Sequence, residues 1–219
     1  MTKTDLIKRY ALFIVGLFIA SMGVAFSTKA GLGTSPVAAV PYTVSLISPL
    51  FTFGGWLNLW SMVQIAVQIL LLRKNCKPME IAIQTVLAFA YGYMTNFSVI
   101  VINGMVVDTY PKQFLCMIVG CFILAFGIWL QFMGQVAMLP GEAMNRAIST
   151  VTGRKYENIK ILFDVLYIIS AVILSLIFLG GTNGLKGVRE GSIIAAVVVG
   201  NIIKIYSWLW GKVTRRAKK

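Results

Sequence analysis

Five stretches of this chain carry no charged residue at all: 10–28, 30–72, 81–107, 113–141 and 165–185. A helix needs roughly 20 apolar residues to cross the hydrocarbon core of a bilayer, so each stretch is long enough to span. The 30–72 stretch is too long for one crossing, and Pro36, Pro41, Pro49, Gly54 and Gly55 break it, leaving a span from Trp56 to Leu72. A last span runs from Gly191 to Gly211, interrupted only by Lys204. Six spans is the most economical count. Composition agrees: 58% of residues are hydrophobic and 12% charged, a balance that a soluble domain of this length could not solvate. One membrane domain is expected over residues 1–219. Its first span lacks a small-residue cleavage site and is expected to be retained.

Within that frame a segment recurs. GLFIASMGVAFSTKAGLGTSP, from Gly16 to Pro36, aligns without a gap on GCFILAFGIWLQFMGQVAMLP, from Gly120 to Pro140, an offset of 104 residues. Gly16 pairs with Gly120, Phe18 with Phe122, Ile19 with Ile123, Gly23 with Gly127 and Pro36 with Pro140. Each half then holds three spans, the first over about 7–104 and the second over about 111–211. An odd number of crossings makes the second half enter from the opposite side, related to the first by an axis in the membrane plane. Such inverted repeats recur in secondary transporters, with the substrate near midplane between the repeats.

After the first span of each half comes a segment led by proline, 36–48 and 140–152, and proline suits the first turn of a helix. Ser35 stands where an N-cap belongs, after the Gly31-Leu32-Gly33 turn. Glu142 sits in the first turn of the second copy, where the helix dipole favours a negative charge. Both segments are too short to cross, so they are expected to lie at the interface or to re-enter the bilayer. The expected fold is thus an all-α membrane protein: six transmembrane helices in two inverted three-helix repeats, each with a short proline-led helix.

Basic residues set the orientation. With the N-terminus inside and an even number of spans, 15 of the 20 Lys and Arg fall on the cytoplasmic side. Lys29, Lys112, Lys186 and Arg189 lie outside, with Lys204 inside a helix. The positive-inside rule therefore places both termini in the cytoplasm. The net charge of +13 is a topology signal and an attraction to anionic lipid. It is not a nucleic-acid footprint, because no basic surface is interleaved with stacking aromatics. Tyr206, Trp208 and Trp210 suit an interfacial belt.

Little points to catalysis. The chain has no histidine, which removes imidazole metal sites and the usual general base, and no nucleophile and base stand at recognisable spacing. Cys76, Cys116 and Cys121 form no disulfide framework. No cofactor, metal or enzymatic activity is expected. Among polar residues in the spans, Lys160 and Asp164 are one turn apart and read either as a self-neutralising pair or as a substrate or proton site. Glu142 and Arg146 are also four apart, as an interfacial ion pair or a gate. Lys204 is close enough to a span end to snorkel, although Gly92 with Asn96 matches Gly200 with Lys204 at an offset of 108. Gln64 with Gln68 and Gln131 with Gln135 are expected to hydrogen-bond between helices. Gly16 with Ala20 and Gly23 with Ser27 form small-xxx-small steps that permit close packing.

GLGTSP at 31–36, PGE at 140–142, Lys160 followed by Asp164, and the run Gly187-Val188-Arg189-Glu190-Gly191-Ser192 resemble the YczE and YitT-like group of bacterial integral membrane proteins. The resemblance covers roughly residues 10–205 and implies a polytopic protein of the bacterial inner membrane with internal duplication. Many members of that group carry Trp-Asp directly after the first-copy proline, where this chain has Val37 and Ala38. An acidic site shared by both halves would survive only as Glu142. The expected function is transport of a small polar or anionic solute. Alternatives are a substrate-binding membrane subunit of an ATP-driven importer, or a non-transporting accessory protein. Candidate substrate-binding residues are Ser35, Pro36, Asn96, Pro140, Glu142, Arg146, Lys160, Asp164 and Lys204. Expected partners are membrane lipid, including anionic lipid, and a small solute, with a homo-oligomer or another membrane protein left open.

Overall fold

A computed structural model describes residues 3–180 and 187–216; Lys186, Lys218 and Lys219 lie outside the described residues. Eight helices, and no strand among the described residues, make up the fold: α1 Lys3–Lys29, α2 Pro36–Ile47, α3 Phe53–Leu72, α4 Pro78–Val101, α5 Tyr110–Gly134, α6 Pro140–Thr152, α7 Tyr156–Phe178 and α8 Glu190–Arg216. Local chemistry sets most of the boundaries. Prolines open α2, α4 and α6, where their missing N–H goes unneeded. The Thr52 side chain accepts from the Gly55 N–H and caps α3. Gly153, at φ 68°, closes α6 in the left-handed conformation that only glycine adopts without strain. Ser35 does occupy the N-cap position of α2, but its side chain makes no capping bond; only its carbonyl is used, by Ala38.

Five helices are long and apolar enough to cross a membrane: α1, α3, α5, α7 and the Glu190–Trp210 part of α8. The chain is a multi-pass membrane protein by this composition. The expected sixth span falls on α4, which is not among the five. At 24 residues α4 is about 36 Å long, so its length suffices. Gln84, Thr85, Tyr91, Tyr93, Thr95, Asn96 and Ser98 make it less apolar than the others.

The most extensive packing joins α1 to α5. Glycines let the two backbones touch: a Cβ on Gly127 would stand 2.6 Å from the Gly16 carbonyl oxygen, and one on Gly120 would stand 3.0 Å from the Gly23 carbonyl oxygen. The small-residue stripe of α1 is therefore consumed inside the chain. Around this pair, α4 packs on α1 and α8 on α5, α2 packs on α7 and α3 on α6, and each short helix packs on the long helix that follows it. Exchanging α1–α4 for α5–α8 maps each of these contacts onto another. A single pair breaks the pattern. α3 packs closely on α4, but α7 and α8 share no comparable contact among the described residues.

The reason lies in specific side chains. Gly54 and Gly92 bring α3 and α4 together, Asn96 Oδ1 accepts from the Gly54 N–H at 2.8 Å, and Asn96 Nδ2 donates to Thr52 Oγ1 at 2.8 Å. The matched pair on α8 does none of this, for Gly200 has open space around it and Lys204 is exposed. Instead α8 is stapled to α5 by aromatic rings: Tyr206 meets Phe126 at 5.6 Å and Trp129 at 6.0 Å, and Trp210 meets Trp129 at 5.7 Å. At its other end, Gly191 N–H donates to the Leu32 carbonyl at 2.9 Å, and Thr34 N–H donates to Ser192 Oγ at 3.1 Å.

Candidate functional site

Both short helices contribute to one buried cluster in the interior. Ala39 and Val40 of α2 share a buried apolar cluster with Met144 of α6 and with Tyr167 and Ala171 of α7. That contact uses one face of α6. Glu142, Ala143, Arg146, Ala147 and Thr150, at the helical spacing of a second face, line a cavity of about 750 Å³. Gln68 and Leu72 of α3, Gln84 of α4 and Gln131 of α5 form further walls, and Lys77 and Glu80 stand at the basic end of the bundle.

Amides dominate the interior of this cavity. Gln68, Gln84 and Gln131 are 5%, 5% and 8% exposed, and each keeps one amide atom without a hydrogen-bond partner: Gln68 Oε1, Gln84 Oε1 and Gln131 Nε2. Leaving a buried polar atom unpaired costs about 1–3 kcal/mol, so three in one cavity mark a place where packing alone has not been optimised. Gln64 differs. Its Nε2 donates to the Tyr167 hydroxyl at 3.2 Å and ties α3 to α7, as expected of interhelical glutamines. Gln135 ends α5 with φ 51° and lines the same cavity as Gln131, but it is exposed where Gln131 is buried.

Charge gathers on α6 and α7. Glu142 is partly buried; desolvation raises its carboxyl above the ordinary carboxylate range, Lys160 pulls it down and Asp164 pushes it up. Lys160 Nζ and Asp164 Oδ2 are 3.5 Å apart, one turn from each other, while Asp164 Oδ1 is buried without a partner. Glu142 and Arg146 do not form the ion pair that their spacing allows. Arg146 Nη1 instead approaches Met138 Sδ at 3.6 Å, leaving both charges on the cavity wall without neutralising each other. Among the described residues no three of His, Cys, Asp and Glu gather as a metal site would require.

Of the nine expected site residues, Glu142 and Arg146 line the cavity, Lys160 and Asp164 form an electrostatic neighbourhood behind Glu142, and Pro140 starts the helix that carries them. Ser35 and Pro36, at the start of α2, do not line the cavity. Asn96 holds α3 on α4, and Lys204 is exposed on α8, so neither reaches it. Gln84 is not among the expected site residues, and its signal in the sequence is an amide interrupting the apolar run of 81–90.

The profile of a family of unknown function, DUF6198, matches residues 7–207. The chain is 25% identical over 166 residues to the uncharacterized protein YyaS of Bacillus subtilis strain 168, covering 75% of this chain and 80% of that protein. No solved structure matches the chain.

Proposed function

The chain belongs to DUF6198, a family of unknown function, and from its own cavity we propose that it is a secondary transporter or permease for a small polar solute. The observation that carries the proposal is the cavity with three incompletely paired buried glutamines, beside two opposite charges on α6 that leave each other unpaired. In this reading α4 is the sixth span and the halves are inverted repeats, supported by the gapless 104-residue alignment and by helix contacts that exchange halves. The likeness to the YczE and YitT-like group points the same way. Both termini are then cytoplasmic in a bacterial inner membrane, and the cavity is open inward.

An inward-open state needs a closed outer side. By the same offset, Gln131 and Glu142 correspond to Ser27 and Ala38, which are buried. The Gly191–Leu32 and Ser192–Thr34 hydrogen bonds then act as the outer latch, and Thr34 Oγ1 beside them lacks a partner. No chemical conversion is proposed for this site. Purified protein in liposomes should give saturable uptake of members of a polar-metabolite pool. Strict dependence on a co-purifying ATPase would reassign the chain to the binding subunit of an importer, and an inert protein across the pool would reject transport.

A further inference from the structure

The charges and amides of the cavity also constrain what could occupy it. We infer that the solute is a small zwitterion of the amino-acid type, its ammonium group held by Glu142 and its carboxylate by Arg146, with its polar remainder on Gln68, Gln84 and Gln131; this rests on the transport reading above.

Four residues of the lining are charged, Lys77, Glu80, Glu142 and Arg146, and their charges cancel. Lys77 Nζ and Glu80 Oε1 satisfy each other at 3.1 Å on a well-exposed surface. Only Glu142 and Arg146 remain, four residues apart on one helix face, which puts their Cβ atoms about 5–6 Å apart. A solute with net negative charge would meet Glu142, with Asp164 behind it, and one with net positive charge would meet Arg146, with Lys160 near. A molecule carrying both signs a few bonds apart pairs with both and brings no net charge into the membrane interior. The anionic solute left open by the sequence is therefore disfavoured.

The amides supply the second constraint. Gln68 and Gln84 each offer an unpaired acceptor and Gln131 an unpaired donor, and rotation of an amide interchanges these roles. Such a floor suits a hydroxyl or amide side chain better than an aliphatic one, since an alkyl group would leave all three unsatisfied. The cavity, at about 750 Å³, admits an amino acid with accompanying water.

The test is ligand-dependent thermal stabilisation of the full-length protein in nanodiscs, using L-serine and L-glutamine as zwitterions, succinate as dianion, putrescine as dication and propionamide as uncharged amide, beside liposome uptake of the same compounds. A zwitterion should stabilise the protein, and Glu142→Gln and Arg146→Gln should each weaken its binding about tenfold or more, the size of one lost charge-assisted hydrogen bond. Arg146 is exposed and Glu142→Gln keeps the side-chain volume, so both variants should retain the fold; their ligand-free melting profiles verify it. Stabilisation by succinate or putrescine alone, or zwitterion binding indifferent to both substitutions, would overturn the inference while leaving transport standing. Zwitterion binding that depends on both residues without uptake would do the reverse. No stabilisation and no uptake by any of the five compounds overturns the inference as well.

Discussion

Gln84 is buried with its Oε1 unpaired, which places stability and function in opposition at a single residue. Gln84→Leu removes an unsatisfied polar atom and keeps much of the volume, so the melting temperature should hold or rise by a few degrees, while solute uptake falls at least tenfold. A fall in stability with normal uptake would mean that Gln84 is an ordinary packing residue. Glu142 carries a pH signature. Because its carboxyl is raised in the fold, the folded state holds that proton more tightly than the unfolded chain does. Its contribution is fully present below the ordinary value of 4.5 and is lost as pH climbs through the raised one. Wild-type stability should therefore decline above about pH 4.5 relative to Glu142→Gln, and parallel melting curves across pH would remove this role. Such residues were only partly legible beforehand. Glu142 stood out as an acid in an apolar chain, but an isolated glutamine in a long helix reads as packing until three helices converge on it.

Helix boundaries were far easier to read, because proline and charge punctuate them. Pro36 and Pro140 start the short helices in the structure as they do in the alignment. The nature of α4 was harder, since its polar side chains are satisfied partly by its own backbone and partly by neighbours that lie elsewhere in sequence. Thr95 and Ser98 bond to carbonyls one turn back, and Ser98 Oγ meets Ser21 Oγ of α1 at 3.0 Å. Asn96 illustrates the point best. The sequence marks it through the match of Gly92 and Asn96 with Gly200 and Lys204, yet both of its amide atoms are engaged in holding α3. Asn96→Leu should lower stability by about 1–3 kcal/mol by stripping the Gly54 N–H of its partner, read as a drop in melting temperature with solute affinity unchanged. In the α1–α5 contact, Gly127→Val should destabilise by about 1–3 kcal/mol or prevent folding, because its side chain would enter the Gly16 and Ala20 backbone. Gly200→Val, in open space, is the control and should shift stability by no more than about 0.5 kcal/mol.

At the scale of the whole molecule, the long apolar runs made the membrane class legible from composition, whereas the cavity was not, because it arises between elements brought together only by folding. Thr34→Cys with Ser192→Cys, in a background lacking Cys76, Cys116 and Cys121, joins two positions already in hydrogen-bond contact. Oxidation should abolish uptake and reductant should restore it, while solute binding from the cavity side persists. Unaltered uptake in the fully crosslinked protein would exclude the latch from the transport cycle.

Among the described residues α7 and α8 share no contact comparable to that of α3 with α4, so the two halves are tied together differently. α4 is clamped to α3 at Gly92 and Asn96, whereas α8 lies on α5, with edge-on and tilted aromatic contacts towards its C-terminal end and two hydrogen bonds at its start. A lever with a hinge and a catch is the mechanical equivalent. In the proposed transport reading the two halves would then divide the labour, the first serving as frame and the second supplying the moving arm.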